Sequence, residues 1–300
     1  MPKIIQFLHT AQEAKPESKE AKIIGWNNGE NHTRKFILSE GKYVNNTKDG
    51  VQTEEINKLT FWGEWEAQSE ITLINKENNV PPTLLNKPFL DLSQTSMVHN
   101  TDPYVFGDYF RYIICKQRTF HKVLTNLESN SIILFGSSID KKFRLDTVFV
   151  VSNYKVNFRK HNLEEGLFKN EGDKYYNVGV RPILGNKKYN SEDEDSCVIT
   201  DNKEYTFYRG VNFNQREQHN KMYSFVPCKV YSHDNPFKYT FRQPILNLDF
   251  IEHQQTQGVN SKDCSQTDIV NYWNKIVTQV ENQNLLKGVS FVNPPLSNKL

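Results

Sequence analysis

Short apolar runs bounded by turn residues recur along this 300-residue chain and predict a strand-rich fold. Residues 131–135 and 145–152 are the best examples, because they combine β-branched and aromatic side chains and end near glycine, serine or asparagine. Residues 4–8 form a short apolar first strand, and strand-like runs fill much of the first 75 residues. The pattern therefore predicts many short strands joined by turns.

Residues 265–282 depart from this pattern and predict a helix. Ser265 and Asp268 have the spacing of a helix N-cap, and apolar residues then fall on one helical face: Ile269, Trp273, Ile276, Val277 and Val280. We expect this C-terminal helix to pack on a β-rich core, which makes the fold α+β. Residues 1–300 are predicted to form one domain, with an exposed polar loop or insertion around residues 185–195.

Composition narrows the classes of function. The 37 basic and 35 acidic residues leave a net charge of +2, so a nucleic-acid contact would need a local patch instead of a basic tail. The sequence predicts no membrane contact, because no run approaches the ~20 apolar residues of a membrane span, and the first apolar run is too short for a signal peptide. Four dispersed cysteines without a CxxC pair predict reduced thiols in a cytoplasmic protein. No metal or cofactor is predicted, and the sequence leaves the oligomeric state open.

The segment Phe-Trp-Gly-Glu-Trp-Glu at residues 61–66 is the first candidate site. In a strand, alternation would place Trp62, Glu64 and Glu66 on one face and Trp65 on the other, towards the core. An indole that stacks on a nucleobase beside a carboxylate that accepts from its amino group would suit base recognition. The alternative is a tryptophan-anchored core strand with two solvated glutamates.

A second candidate lies on either side of a predicted turn at residues 27–29. Trp26 precedes the turn, Asn27 opens it, and His32, Arg34 and Lys35 follow it. Arginine and lysine donate charge-assisted hydrogen bonds to phosphate oxygens, so this cluster is a candidate phosphate contact. The alternative is an ordinary polar hairpin.

Two histidines are candidate acids or bases. His99 opens a turn-rich loop with Asn100 and Asp102 ahead of a proline, and such loops often carry function. His9 ends the first strand, an arrangement that resembles ADP-ribosyltransferases, in which a first-strand residue positions the NAD ribose. In both cases an ordinary loop or strand-end histidine is the alternative.

Residues 127–151, LESNSIILFGSSIDKKFRLDTVFVV, are similar to the strand pair of PUA-like domains, the group that includes the EVE and ASCH modules. The stretch 101–117, together with the tryptophan–glutamate segment, resembles bacterial nucleotide-modification-associated domains. The resemblance implies a barrel-type sheet that binds RNA, DNA or a modified base, in a bacterial defence or base-modification context.

These observations predict a protein that binds a nucleic acid or a nucleotide. The alternative is an enzyme acting on a nucleotide-type substrate, either a phosphodiesterase-like hydrolase or an ADP-ribosyltransferase. It would use His9 or His99 with Glu64 or Glu66 as acid and base.

Overall fold

The computed structural model of the protein describes residues 1–9, 12–27, 32–46, 51–74, 81–93, 98–117, 122–185, 203–232, 238–253 and 258–297. Within these ranges the strands are β1 (Lys3–His9), β2 (Ile23–Ile24), β3 (Lys35–Asn46), β4 (Gln52–Gly63), β5 (Ser69–Ile74), β6 (Leu84–Pro88), β7 (Arg111–Tyr112), β8 (Ile132–Ile139), β9 (Lys142–Phe158), β10 (Tyr205–Gly210), β11 (Val226–Val230), β12 (Gly258–Asp263) and β13 (Leu286–Phe291). The α-helices are α1 (Lys160–Glu164), α2 (Asp173–Tyr175), α3 (Arg181–Gly185) and α4 (Gln266–Glu281). Short 3-10 helices lie at Lys122–Thr125, Lys169–Glu171 and Phe213–His219, and one π-helical turn lies at Tyr176–Val180.

The first sheet has the strand order β12-β1-β8-β9-β10-β7. β1 runs parallel to β8, and β8 and β9 form a hairpin whose turn residues Asp140 and Lys141 have positive φ angles of 53° and 55°. Alternation along β1 sends Ile5, Phe7 and His9 to one face and Ile4 and Leu8 to the other. The face of Ile4 and Leu8 packs under α4 in one hydrophobic cluster.

The second sheet has the order β13-β11-β4-β3-β6-β5-β2, and β13 pairs with β3 as well as with β11. Its centre is the long antiparallel pair β3–β4, in which Lys35 lies opposite Gly63. This register brings the residues just before β3 beside the residues just after β4. The pairing of β3 with β4 therefore brings together the site residues that the second sheet contributes.

One large hydrophobic cluster joins the two sheets. It includes Phe7 and Phe135 from the first sheet and Ile37 and Phe61 from the second. Each of these side chains is at most 1% exposed. The facing sheets therefore share a core, and a polar side chain on the inner face of β1 is buried between them.

The structure confirms an α+β fold with a C-terminal helix that packs on the sheet. Ser265 caps α4 by accepting a hydrogen bond from the Asp268 amide, and the buried side chains of α4 include Ile269, Trp273, Ile276 and Val280. The barrel-type sheet is not what forms, because the strands divide into two sheets. Most of the predicted loop at 185–195 lies outside the described residues. Among the described helices, none is long and apolar enough to cross a membrane.

Candidate functional site

Three chain segments meet where the two sheets face each other. His9 is the last residue of β1, on the inner face of the first sheet. His32 and Arg34 lie just before β3, and Glu64 and Glu66 just after β4. We call these five residues the polar cluster. His32 and Arg34 precede β3, and Glu64 and Glu66 follow β4. Because β3 and β4 are paired with Lys35 opposite Gly63, these four residues lie close together.

Glu64 is the centre of the polar cluster. Its Oε2 atom lies 2.7 Å from His9 Nδ1 and 3.0 Å from Arg34 Nη1, while its Oε1 atom lies 3.6 Å from His32 Nδ1. Burial opposes ionisation of Glu64, but its interactions with His9, Arg34 and His32 outweigh burial and lower the Glu64 pKa to about 2. Glu64 is therefore a carboxylate at neutral pH.

His32 sits between the two carboxylates. Its Nδ1 atom is 2.9 Å from Glu66 Oε1, and its side chain keeps 11% exposure, more than the other members of the polar cluster. Burial disfavours the charged imidazole, yet Glu66 and Glu64 raise the His32 pKa to about 10. His32 is therefore a cation at neutral pH, and it marks the side on which the polar cluster approaches solvent.

Three of the eight histidines gather here. The rings of His9 and His32 are stacked, with centroids 5.6 Å apart, and the His99 ring meets His32 edge-on at 4.5 Å. The Asn27 amide donates to the Glu66 carbonyl oxygen, and Trp26 Nε1 donates to the His99 carbonyl oxygen. The predicted residues Trp26, Asn27 and His99 thus form a frame around the polar cluster.

Arg34 is held by a residue of the first sheet that sequence reasoning missed. Its Nε atom donates to Asp146 Oδ2 at 2.8 Å, and both side chains are buried. In the β8–β9 pair, Phe135 lies opposite Thr147 and Gly136 opposite Leu145, so Asp146 is the extra residue of a β-bulge. The bulge turns an acidic side chain inwards from an otherwise apolar strand. The acidic residue within the LDTVFVV run was the available sequence signal.

Cys115 is the second residue that sequence reasoning missed. His9 Nε2 lies 3.1 Å from the sulfur of Cys115, a residue that is 4% exposed. The short approach of His9 Nδ1 to Glu64 is oblique, which makes it an electrostatic contact more than an aligned hydrogen bond. The order Glu64–His9–Cys115 is nonetheless that of an orienting acid, a base and a nucleophile. No local signal revealed it, because 106 positions separate His9 from Cys115.

Asp102 fixes the backbone at Cys115. Its carboxylate accepts hydrogen bonds from the amides of Ile113, Ile114 and Cys115 at 2.8–3.0 Å. Burial outweighs these bonds and raises the Asp102 pKa to about 7. Its neighbour Asn100 is 1% exposed, and neither polar atom of its amide has a hydrogen-bond partner among the described residues.

Two predicted site residues point elsewhere. Trp62 Nε1 donates to the Phe241 carbonyl oxygen, and the indole packs against Phe36 in a separate buried cluster. Lys35 Nζ donates to the Ala67 carbonyl oxygen, and burial lowers its pKa to about 7. The predicted common face of Trp62, Glu64 and Glu66 is wrong, because β4 ends at Gly63 and alternation stops there. Trp65 is buried in the shared core, as the alternation had suggested.

One set of side chains could hold a metal ion among the residues that the structure describes. His32, Glu64 and Glu66 each offer a ligand atom, and these atoms lie within 4.8 Å of one another. The polar cluster can therefore support either acid–base chemistry at His9 or cation binding at His32.

Comparison with known proteins assigns no family to this site. No protein-family model, no curated protein and no solved structure matches the chain.

Proposed function

We propose that the chain is a hydrolase of nucleotide-type phosphate esters that uses Cys115 as its nucleophile and His9 as its general base. The observation that carries the proposal is the position of the His9 imidazole, which contacts the Cys115 sulfur on one side and Glu64 on the other. A nucleophile within reach of a base that a third group orients is the arrangement required for covalent catalysis.

The steps follow from these contacts. His9 Nε2 removes the Cys115 proton, and the thiolate attacks phosphorus. The ester oxygen leaves and takes that proton from the imidazolium, whose charge Glu64 stabilises. Water, deprotonated by His9, then cleaves the sulfur–phosphorus bond and releases phosphate, and the thiolate recovers its proton from His9.

Burial of the polar cluster also supports a functional role. Buried ionic networks are often no more stabilising than well-packed apolar residues. Stability alone therefore does not explain five charged or ionisable side chains between two sheets. Strongly shifted pKa values also gather at functional sites, because catalytic groups need pKa values that suit their chemistry. His32 lies on the more exposed side of the polar cluster, where a phosphate group could approach His9 and Cys115.

Recognition of a nucleic acid by base stacking remains a prediction, and it would need aromatic residues other than Trp62 and Trp65. Trp62 and Trp65 are 2% and 1% exposed, and Arg34 and Lys35 donate to partners within the chain. The nucleotide class of the substrate, the bacterial defence or base-modification context and the cytoplasmic location rest on the family resemblance and the sequence pattern.

Turnover tests the proposal directly. We would incubate the protein with nucleotides, a dinucleotide, oligonucleotides and NAD, and analyse the products by chromatography. We expect phosphate-ester hydrolysis that Cys115→Ser and His9→Ala each reduce by at least ~100-fold, in the range typical of lost nucleophiles and bases. Cys228→Ser is the matched control, since Cys228 is also buried but lies in β11 beside β13 and β4.

Alkylation with iodoacetamide and peptide mapping gives a readout that is independent of the substrate. Cys115 should react faster than Cys228 and Cys264, and His9→Ala should remove the difference, because the thiolate is the reactive form. Undiminished turnover in Cys115→Ser would refute the proposal, as would equal alkylation of the three thiols together with no turnover of any substrate.

A further inference from the structure

We propose that His32, Glu64 and Glu66 form a binding site for a divalent transition metal ion, such as Zn²⁺ or Mn²⁺. This inference goes beyond the proposed hydrolase, because metal binding does not require Cys115 and can be measured without a substrate.

The spacing of the ligand atoms fits a metal site. His32 Nδ1 lies 2.9 Å from Glu66 Oε1 and 3.6 Å from Glu64 Oε1. Ligands at about 2.0–2.2 Å from a tetrahedral ion are separated by roughly 3.3–3.6 Å. Small side-chain movements are therefore enough to admit the ion between the imidazole and the two carboxylates, and the ion replaces the proton on His32 Nδ1 when it binds.

The two carboxylate oxygens of Glu64 have separate partners. Oε2 contacts His9 and Arg34, whereas Oε1 lies on the His32 side and also accepts a 3.3 Å hydrogen bond from the Asp102 amide. Oε1 can bind an ion while Oε2 keeps its contacts. Arg34, held in turn by Asp146, then orients the ligand from the outer shell, as metal sites commonly require.

Glu66 provides an independent observation. Its side chain is completely buried, yet its Oε2 atom has no hydrogen-bond partner among the described residues. Leaving a buried carboxylate oxygen unpaired costs its full desolvation penalty, which is larger for a charged group than for a neutral one. Because Oε1 of the same carboxylate contacts His32, the unpaired oxygen lies at the same place and is available to a cation.

The donor types select the class of metal. Imidazole nitrogen suits zinc, iron and related transition metals, whereas Mg²⁺ and Ca²⁺ prefer oxygen ligands throughout. Three protein ligands also leave a coordination position for water, which is the composition of catalytic and not of structural zinc sites. The ion would lie beside the stacked ring of His9.

Metal content tests the inference. The full-length protein is stripped with EDTA, loaded with ZnCl₂ or MnCl₂, desalted and analysed by inductively coupled plasma mass spectrometry. We expect about one ion per wild-type chain, and at least a ~10-fold lower content in Glu66→Gln and His32→Ala, since each lost ligand weakens binding. Far-UV circular dichroism verifies that the variants are folded, and the nearly isosteric Glu66→Gln keeps the test valid if His32→Ala does not fold.

Two controls separate this inference from others. Glu171→Gln alters another buried glutamate, which pairs with Arg111 and Arg209 outside the polar cluster, and should leave the metal content unchanged. Cys115→Ser should also retain the ion, although it would inactivate the proposed hydrolase. Wild-type protein without metal, Glu66→Gln with the wild-type content, or loss of metal from Cys115→Ser but not from Glu66→Gln would each overturn the site.

Discussion

Two lysines show how differently a buried charge can be accommodated. Lys35 and Lys287 are 1% and 2% exposed. Lys287 pairs with the carboxylate of Glu281, whereas Lys35 donates to the carbonyl oxygen of Ala67. Burial lowers the Lys35 pKa to about 7, because the Ala67 carbonyl and the charge of Glu66 compensate the buried ammonium group only in part.

Stability should therefore depend on pH through Lys35. Between pH 7 and its ordinary pKa of 10.5, the unfolded chain holds a proton that the folded lysine releases, so this residue makes stability rise with pH in that window. Lys35→Met should raise the free energy of unfolding by on the order of 2 kcal/mol at pH 6, and by less at pH 9. Urea unfolding at both pH values measures the difference.

Lys287→Met is the control for this prediction. It removes the ion pair with the half-exposed Glu281, so it should lower stability slightly at both pH values. If Lys35→Met unfolded more easily than wild type at pH 6, its ammonium group would not carry the expected burial cost.

At the scale of the element, the β-bulge in β9 places Asp146 where it forms an ion pair with Arg34, which lies next to β3 of the other sheet. Removing one partner of a buried ion pair leaves the other charge uncompensated. Asp146→Ala should therefore lower the free energy of unfolding by about 3–5 kcal/mol, because Arg34 loses a buried, hydrogen-bonded carboxylate partner. The double variant Arg34→Met/Asp146→Ala should lose less than the sum of the losses in Arg34→Met and Asp146→Ala, because either single change already removes the Arg34–Asp146 pair.

Denaturant unfolding of the single and double variants measures the coupling. Asp249→Ala is a suitable control, since its salt bridge to Lys262 is at the surface and its side chain is 60% exposed, which predicts a much smaller loss. Additive losses in the double variant would show that Arg34 and Asp146 do not act as a pair.

At the scale of the whole molecule, the shared core predicts that the two sheets unfold together. Three tryptophans, Trp26, Trp62 and Trp65, lie in or beside the second sheet, and Trp273 lies on α4 under the first. In a Trp273→Phe variant, fluorescence reports on the second sheet while far-UV circular dichroism reports on all strands. The two denaturation curves should coincide. Separate midpoints would show that the shared cluster does not couple the sheets.

The sequence by itself determined the class of the fold, the C-terminal helix and most of the polar cluster. Strand runs and the Ser265 cap are local patterns, and local propensity decides them. His9, His32, Glu64 and Glu66 could be selected because histidines and carboxylates are the residue types that acid–base chemistry needs. Their assembly into one cluster could not be predicted from the sequence. It depends on the β3–β4 register and on the way the two sheets pack against each other.

Only the tertiary structure decided which aromatic and basic residues are core and which groups pair. Alternation placed Trp62 with Glu64, but the strand ended between them at Gly63. Asp146 and Cys115 came to the site through a bulge and a distant loop, neither of which has a local period. The physical reason is that side-chain contacts across 100 residues or more are set by how sheets pack, and periodicity describes one element at a time.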